Sequence, residues 1–172
     1  MPLIVLRHTR PEIAPGLCYG RSDLGLAADF DTAAREIAGT LPAVSRIVSS
    51  PLLRSRRLAE ALGEARGLGI EVEPALRELD FGAWELRRWD SIARAEIEAW
   101  AADFLGGRPH GGESVAMLAE RVGSALDRHV PASPPVLWVT HSGVIRAVCA
   151  RLGRARGWET DVGYGEWLDL TV

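Results

Sequence analysis

Arginine and histidine stand at the ends of apolar runs at three places in the sequence. Leu3 to Leu6 is a run of branched apolar residues that stops at Arg7-His8. The stretch SRIVSS passes through Ser49-Ser50 into a helical pattern whose first turn carries Arg54. Val136 to Val139 is followed by Thr140-His141 and then Ser142-Gly143, where another helical pattern begins. Short apolar runs bounded by polar residues read as buried strands, and open α/β sheets bind ligands at the carboxyl ends of their strands. Helical spacing places Arg54 one turn from Ser50, facing the same mouth. Backbone N–H groups at Ser142 and Gly143, with the helix dipole, favour an anion. A single histidine at a strand end is most often a hydrogen-bonded structural residue, and a single arginine early in a helix is most often solvated. Two of each, delivered to one sheet edge by separate strands, make a cationic, imidazole-rich pocket whose natural guest is a phosphoryl group.

The elements between these points alternate. After the first strand, a loop rich in Gly and Pro runs to Leu26, and Ala28 to Leu41 is expected to be a helix with Phe30, Ala33, Ala34, Ile37 and Leu41 on its apolar face. The helix that carries Arg54 is expected to start with Ser50 as N-cap and Pro51 in the first helical position, and to stop at Gly67. GIEVEPALREL is a third extended piece. An irregular turn and a helix to Phe104 follow, then the loop GGRPHGGES, a helix from Glu113 or Ser114 to about Val130, and a loop at PASPP. The closing GEWLDLTV alternates like an edge strand. Alternating strands and helices imply an α/β fold, a three-layer sandwich with a mostly parallel central sheet and helices on both faces.

At 172 residues the chain is sized for one domain, 1–172, with a full core. The net charge of −3 provides no bulk basicity for nucleic acid or an acidic membrane. All 20 basic residues are arginine, so any anion site must use guanidinium groups, which can hold phosphate bidentately. The two cysteines, Cys18 and Cys149, have no CxxC spacing, which points to a reducing compartment. With no basic leader before a long apolar stretch and no apolar run of membrane-spanning length, the expected location is the cytoplasm. The expected partner is a small-molecule phosphate monoester, with the protein a monomer or homodimer.

LRHTRPEIAPGLCYGRSDLGL, VSSPLLRSRRLAEAL, LRELDFGAWE, GGES and VTHSGVIRA resemble, in order and spacing across nearly the whole chain, the histidine phosphatase superfamily of phosphoglycerate mutase-like proteins. RHTxP, CYG and LRELDFGxWE look most like its α-ribazole phosphatase branch. The family opening usually has Gly, Glu and Thr after the histidine and an Asn shortly after; here the positions hold Thr9, Arg10, Pro11 and Ala14. Leu58 replaces a usual small polar residue, and Leu86 a usual Gly.

The resemblance implies that His8 is a nucleophile attacking phosphorus and carrying the phosphoryl group. Arg7, Arg54 and His141 would hold the non-bridging oxygens, and neither metal nor cofactor is expected. Glu78 is the implied general acid, with Asp80 and Glu85 close enough to compete. Ser22 falls where a phosphate-contacting hydroxyl is common, and Arg21 beside it is a weaker substrate contact. The segment of about 86–111 would form a small lid that selects the substrate. Trp84 is expected to wall the site, Trp138 to be core, Cys18 to be a packed small side chain, and His110 and His129 to lie at the surface. The implied activity is a metal-independent phosphomonoesterase acting on α-ribazole 5′-phosphate or a related monoester. Alternatives are a mutase, a broad-specificity phosphatase or a protein-phosphohistidine phosphatase of the same fold, and, in another class, a non-catalytic phosphate-binding module.

Overall fold

The computed structural model describes residues 2–129 and 135–170. The expected PASPP loop, apart from its last proline, and the ends of the helix at Val130 and of the strand at Thr171 lie outside them. Five strands form one sheet: β1 (Leu3–Arg7), β2 (Arg46–Ser49), β3 (Ile70–Val72), β4 (Val136–Thr140) and β5 (Trp167–Asp169), in the order β3-β2-β4-β1-β5. All neighbours are parallel except β5, which runs antiparallel along β1 as an edge strand.

The period of two in the strands sorts the core into two layers. Leu3, Val5, Val48, Val136 and Trp138 face α4 (Val115–His129) and α5 (Ser142–Arg151). Ile4, Leu6, Ile47, Leu137 and Val139 face α1 (Phe30–Thr40) and α2 (Leu53–Arg66). This is the expected three-layer sandwich, and it explains why the strands read as unbroken apolar runs: both faces are covered. Trp138 is core, as its alternation implied.

Two boundaries differ from expectation. Helix α2 begins at Leu53, with Leu52 extended in the cap position. The Ser50 hydroxyl accepts from Leu52 N–H at 3.3 Å, so Ser50-Pro51 forms a turn before the helix. The third extended piece ends at Val72, because Pro74 opens a 3₁₀ turn (Pro74–Leu76) capped by the Glu73 carboxylate, which accepts from Ala75 N–H at 2.8 Å. Gly67 does end α2, in the left-handed conformation that glycine adopts freely.

The segment after β3 continues through a 3₁₀ turn at Gly82–Trp84 and another at Trp89–Ser91 to α3 (Arg94–Ala102). Backbone bonds stitch its start to the first loop: Leu86 N–H donates to Cys18 O (2.7 Å), Cys18 N–H to Arg87 O (2.8 Å) and Trp89 N–H to Gly16 O (2.9 Å). The exchange forces Leu86 to φ 61°, a left-handed conformation, while 53% of the residue remains exposed. A branched residue there costs about 1–2 kcal/mol, more than the conformational entropy glycine adds to the unfolded chain. Leu86→Gly is therefore expected to raise the melting temperature by about 2 °C; a fall would mean that side-chain contacts of Leu86 outweigh the backbone strain.

Candidate active site

Register aligns the strand ends. Arg7 lies opposite Thr140, so His8 and His141 are the next residues beyond two adjacent parallel strands, and their rings stand 5.1 Å apart. His8 N–H donates to Thr140 O at 2.9 Å, fixing the backbone at the turn-off. The His8 ring is buried with Nδ1 2.7 Å from Thr9 O. A carbonyl can only accept, so Nδ1 carries the proton and Nε2 keeps its lone pair. Arg54 Nε donates to that Nε2 at 3.3 Å, which requires the same tautomer. Burial, then the Arg54 and Arg7 charges, hold His8 well below the ordinary histidine value; the bond to Thr9 opposes them without prevailing.

Arg54 has no solvent exposure. Its Nη1 donates to Ser22 O at 2.8 Å and its Nη2 to Gly20 O at 2.6 Å. Those carbonyls are held by Glu85, whose carboxylate accepts from the N–H groups of Gly20, Arg21 and Ser22 at 3.0, 3.0 and 3.1 Å, from Phe81 N–H at 3.0 Å and from Ser22 Oγ at 2.5 Å. Burial alone would raise the Glu85 pKa, but the Ser22 hydroxyl and these amides bring it below its ordinary value. Glu85 is thus an organiser of the loop. Ser22 departs from expectation: its hydroxyl is engaged by Glu85, and its carbonyl, not its side chain, serves the site. Arg21 departs as well, with its guanidinium 3.9 Å from Asp80 and 3.7 Å from Glu113. Asp80 also caps the turn to Gly82 N–H at 2.8 Å.

His141 has no exposure and places Nε2 2.8 Å from Ser50 Oγ. The Ser50 oxygen also accepts from Leu52 N–H, and Ser55 Oγ lies 3.4 Å from the same Nε2. Its Nδ1 is a buried atom without a hydrogen-bond partner among the described residues. Burial first, then the neighbouring His8 imidazole and the Arg54 charge, hold His141 well below the ordinary value. Arg7 donates from Nη1 to Val162 O at 2.7 Å and lies 4.0 Å over the Tyr164 ring. The Tyr164 hydroxyl is 2.5 Å from that of Tyr19.

Glu78 accepts from Leu79 N–H at 2.9 Å and from Gly143 N–H, in the first turn of α5, at 3.0 Å. A Cβ at Gly143 would lie 2.3 Å from Glu78 Oε1, so the close approach of carboxylate and helix end requires glycine there. Of the three candidate carboxylates, Glu78 alone lines the same cavity as His8.

That cavity has a volume of about 400 Å³. Arg7, His8, Glu78, Ser142 and Gly143 form its polar end; Ile13, Leu17, Phe81, Trp89, Trp100, Phe104 and Trp158 make most of the remainder apolar and aromatic. Arg54 and His141 reach it through contact with His8. Segment 86–111 contributes Trp89, Trp100 and Phe104. Trp84 is fully buried against Cys18 and Ile92 behind the wall and does not line the cavity.

His110 and His129 are not at the surface. His110 is buried with its ring 4.9 Å from that of Trp84 and accepts from Gly112 N–H at 3.0 Å, and burial lowers its pKa. His129 is buried 2.7 Å from Glu73. Cys18 is a packed side chain whose thiol burial pushes up to about 12. Leu58 lies in the core under α2, and support for Arg54 comes from loop carbonyls instead. Sequence reasoning missed Tyr19, Tyr164, Trp158 and Arg146 as cavity residues. Arg146 had a usable signal, since it follows Ser142 by one helical turn on the same face.

The tautomer assignment is measurable. In two-bond ¹H–¹⁵N spectra His8 is expected to show the Nδ1–H pattern and not to titrate as pH falls through about 6.5, the ordinary histidine value. The unfolded chain takes up protons below that pH and the folded one does not, so the associated stability is complete above about 6.5 and declines as pH falls. A normal titration of His8 near 6.5 would overturn the assignment.

Comparison with protein-family models matches residues 3–169 to the histidine phosphatase superfamily (branch 1). The probable phosphoglycerate mutase GpmB of Klebsiella pneumoniae subsp. pneumoniae is 37% identical over 131 residues, 71% of this chain and 60% of that one. The chain thus spans less than two thirds of that relative's length. Among solved structures, TTHB049 from Thermus thermophilus superposes with a TM-score of 0.78 at 34% identity, covering 97% of this chain and 91% of the other. A mycobacterial glucosyl-3-phosphoglycerate phosphatase gives a TM-score of 0.78 at 27% identity, covering 96% and 87%.

Proposed function

The chain belongs to the histidine phosphatase superfamily, and within it we propose a metal-independent phosphomonoesterase that works through a phosphohistidine on His8. The observation that carries this reading is the neutral, Nδ1-protonated His8, with its Nε2 lone pair turned to Arg54 in the cavity that also holds Glu78. A phosphoryl group at this end draws the Arg54 charge to its oxygens and frees Nε2. Arg7, His141 and the α5 N-terminus at Ser142 complete the grip on the non-bridging oxygens.

Nε2 attacks phosphorus as the bond to the leaving oxygen breaks, and Glu78, entering as the carboxylic acid, gives that oxygen its proton. The resulting carboxylate then takes a proton from water as the water oxygen attacks the phosphohistidine. Phosphate leaves and neutral His8 is restored. The reaction draws on guanidinium and imidazole for charge; among the described residues no group of three or more His, Cys, Asp or Glu side chains could hold a metal ion.

The substrate reading is α-ribazole 5′-phosphate, with segment 86–111 as the selective cap. It is supported by the aromatic breadth of the cavity, which fits a planar heterocycle beyond the phosphate better than a three-carbon acid. Phosphoglycerate is the second reading, favoured by Arg146. Its Nε donates to Thr160 O at 2.9 Å, and the guanidinium, without an ion-pair partner among the described residues, could receive a carboxylate. Neither nucleic acid nor membrane is a proposed partner, and no described helix is long and apolar enough to cross a membrane.

Three measurements check these assignments. Quenching turnover of ³²P-labelled substrate without acid is expected to trap an acid-labile adduct on His8, absent in His8→Ala; normal turnover by that variant would refute the mechanism. Glu78→Gln is expected to lower kcat by about 10²–10⁴-fold on alkyl phosphates and much less on p-nitrophenyl phosphate, whose leaving group needs no proton. Phe104→Ala, at a 38% exposed cavity residue, is expected to reduce kcat/KM for the ribazole ester by about 5–10-fold, the scale of one aromatic contact. It should leave 3-phosphoglycerate hydrolysis unchanged; equal losses on both would remove the aromatic selection.

A further inference from the structure

Arg121 stands on α4, the helix whose Val115 and Leu118 line the cavity, and does not line it itself, yet its side chain makes five hydrogen bonds, more than the side chain of any residue proposed to touch substrate. From α4 its Nη1 donates to Ala75 O at 2.5 Å and Arg77 O at 2.8 Å, and its Nη2 to Glu78 O at 3.2 Å. The same guanidinium holds Glu113 as a bidentate pair, Nε to Oε1 at 2.6 Å and Nη2 to Oε2 at 2.7 Å. Glu113 in turn grips the far side of the segment: its N–H donates to Asp80 O at 2.9 Å and its Oε2 accepts from Asp80 N–H at 3.4 Å. The Glu113 side chain is 7% exposed and that of Arg121 19%. One guanidinium and its carboxylate therefore fix the backbone from residue 75 to 80, on both sides of Glu78.

We propose that the Arg121–Glu113 pair is the positioning device for Glu78: it sets the backbone from which the carboxylate reaches Gly143 N–H and the leaving oxygen. The chemistry makes the pair suited to this task. A guanidinium presents five donors in one plane, so it can meet three carbonyls and a carboxylate together, which an ammonium cannot. The segment 75–80 is not a helix beyond Leu76 and not a strand, so its carbonyls have no ladder to satisfy them, and Arg121 takes that place. The anchor is also rigid, because α4 packs along α5, whose first turn supplies the amide that Glu78 meets. Acid and helix end are thereby referred to one frame.

The catalytic half of the proposal rests on Glu78 being the general acid; the structural half does not. Arg121→Met alone leaves the Glu113 carboxylate buried beside only Arg21 and puts folding at risk, so the principal test is Arg121→Met combined with Glu113→Gln, which removes both charges. The first readout needs no substrate. The Gly143 amide has Glu78 as its acceptor, so its hydrogen exchange is expected to quicken at least about tenfold in the double variant while helix amides of α5 such as Ile145 and Val148 keep their protection. Unchanged exchange at Gly143 overturns the proposal, as does equal acceleration throughout α5. The second readout is kinetic: kcat on alkyl phosphates is expected to fall about 10–100-fold with KM little changed, and kcat on p-nitrophenyl phosphate by less than about threefold. Adding Glu78→Gln to the double variant should then cost less than it does in the wild type, since a misplaced acid has less to lose. Equal losses on both leaving groups, or fully additive losses, count against positioning. If the wild type hydrolyses no monoester at all, the phosphatase reading falls, and the exchange at Gly143 still decides whether Arg121 places Glu78.

Discussion

A guanidinium without solvent exposure, and without a carboxylate in contact, sets the terms for the rest of the site. Among the described residues Arg54 donates only to two carbonyls and an imidazole lone pair. A buried cation of this kind is costly unless every N–H has an acceptor. The acceptors are available only because the Gly20–Ser22 loop is folded with its carbonyls toward Arg54, and it is folded so because Glu85 takes the N–H groups of the same residues. The Glu85 charge is thus held one peptide layer away, and Glu78 and Asp23 act on Arg54 without an ion-pair contact. A carboxylate in direct contact would neutralise Arg54 and leave nothing to attract a phosphoryl group. With two carbonyls and an imidazole lone pair as its partners among the described residues, three of its five N–H groups are bonded, and no carboxylate in contact neutralises its charge, the condition an anion site requires.

The same constraint accounts for His8. Its ring could not sit beside a buried cation as imidazolium, so burial and the Arg54 charge together keep it neutral. The bond to Thr9 O then decides which nitrogen is left with a lone pair. The strand ends, two carbonyls and one arginine thus specify protonation state, tautomer and direction together. The phosphate grip that results would be common to every monoester and cannot discriminate among them. Under the proposed function, discrimination would fall to the aromatic part of the cavity, most of it supplied by residues that carry no charge.

What was legible in the sequence divides along this line. The strands and their terminal Arg7, His8 and His141 could be read because apolar runs closed by cationic residues are a local pattern. The three carboxylates Glu78, Asp80 and Glu85 could not be separated by pattern, since they lie within one short irregular segment. What separates them is the cavity, which only Glu78 of the three lines, and the donors that reach each: two amides for Glu78, a turn amide for Asp80, four amides and a hydroxyl for Glu85. The partner of the Ser22 hydroxyl is hidden from local pattern for the same reason, since it is a glutamate 63 residues away. His110 sits among glycines and reads as a surface loop, yet the aromatic cluster of Phe81, Trp84 and Trp100 closes around it. His129 reads as a frayed helix end until Glu73, 56 residues earlier, is brought against it. Ser50-Pro51 carries a sound helix-start signature, but the Ser50 hydroxyl is needed by His141 and the helix begins later.

One loop joins the two halves of the cavity. Residues 16–18 exchange backbone bonds with 86–89, the base of the segment bearing the aromatic wall, while residues 20–22 hold Arg54 through their carbonyls. Cys18 lies between them, fully buried against Trp84, and leaves no slack. Leu86 is held in a left-handed conformation at this junction, where relaxing the backbone would break its bond to Cys18 O. Strain at that point is the cost of keeping wall and floor in register. The base of the segment bearing the aromatic wall and the loop that holds Arg54 are thus joined by three backbone hydrogen bonds and one buried cysteine.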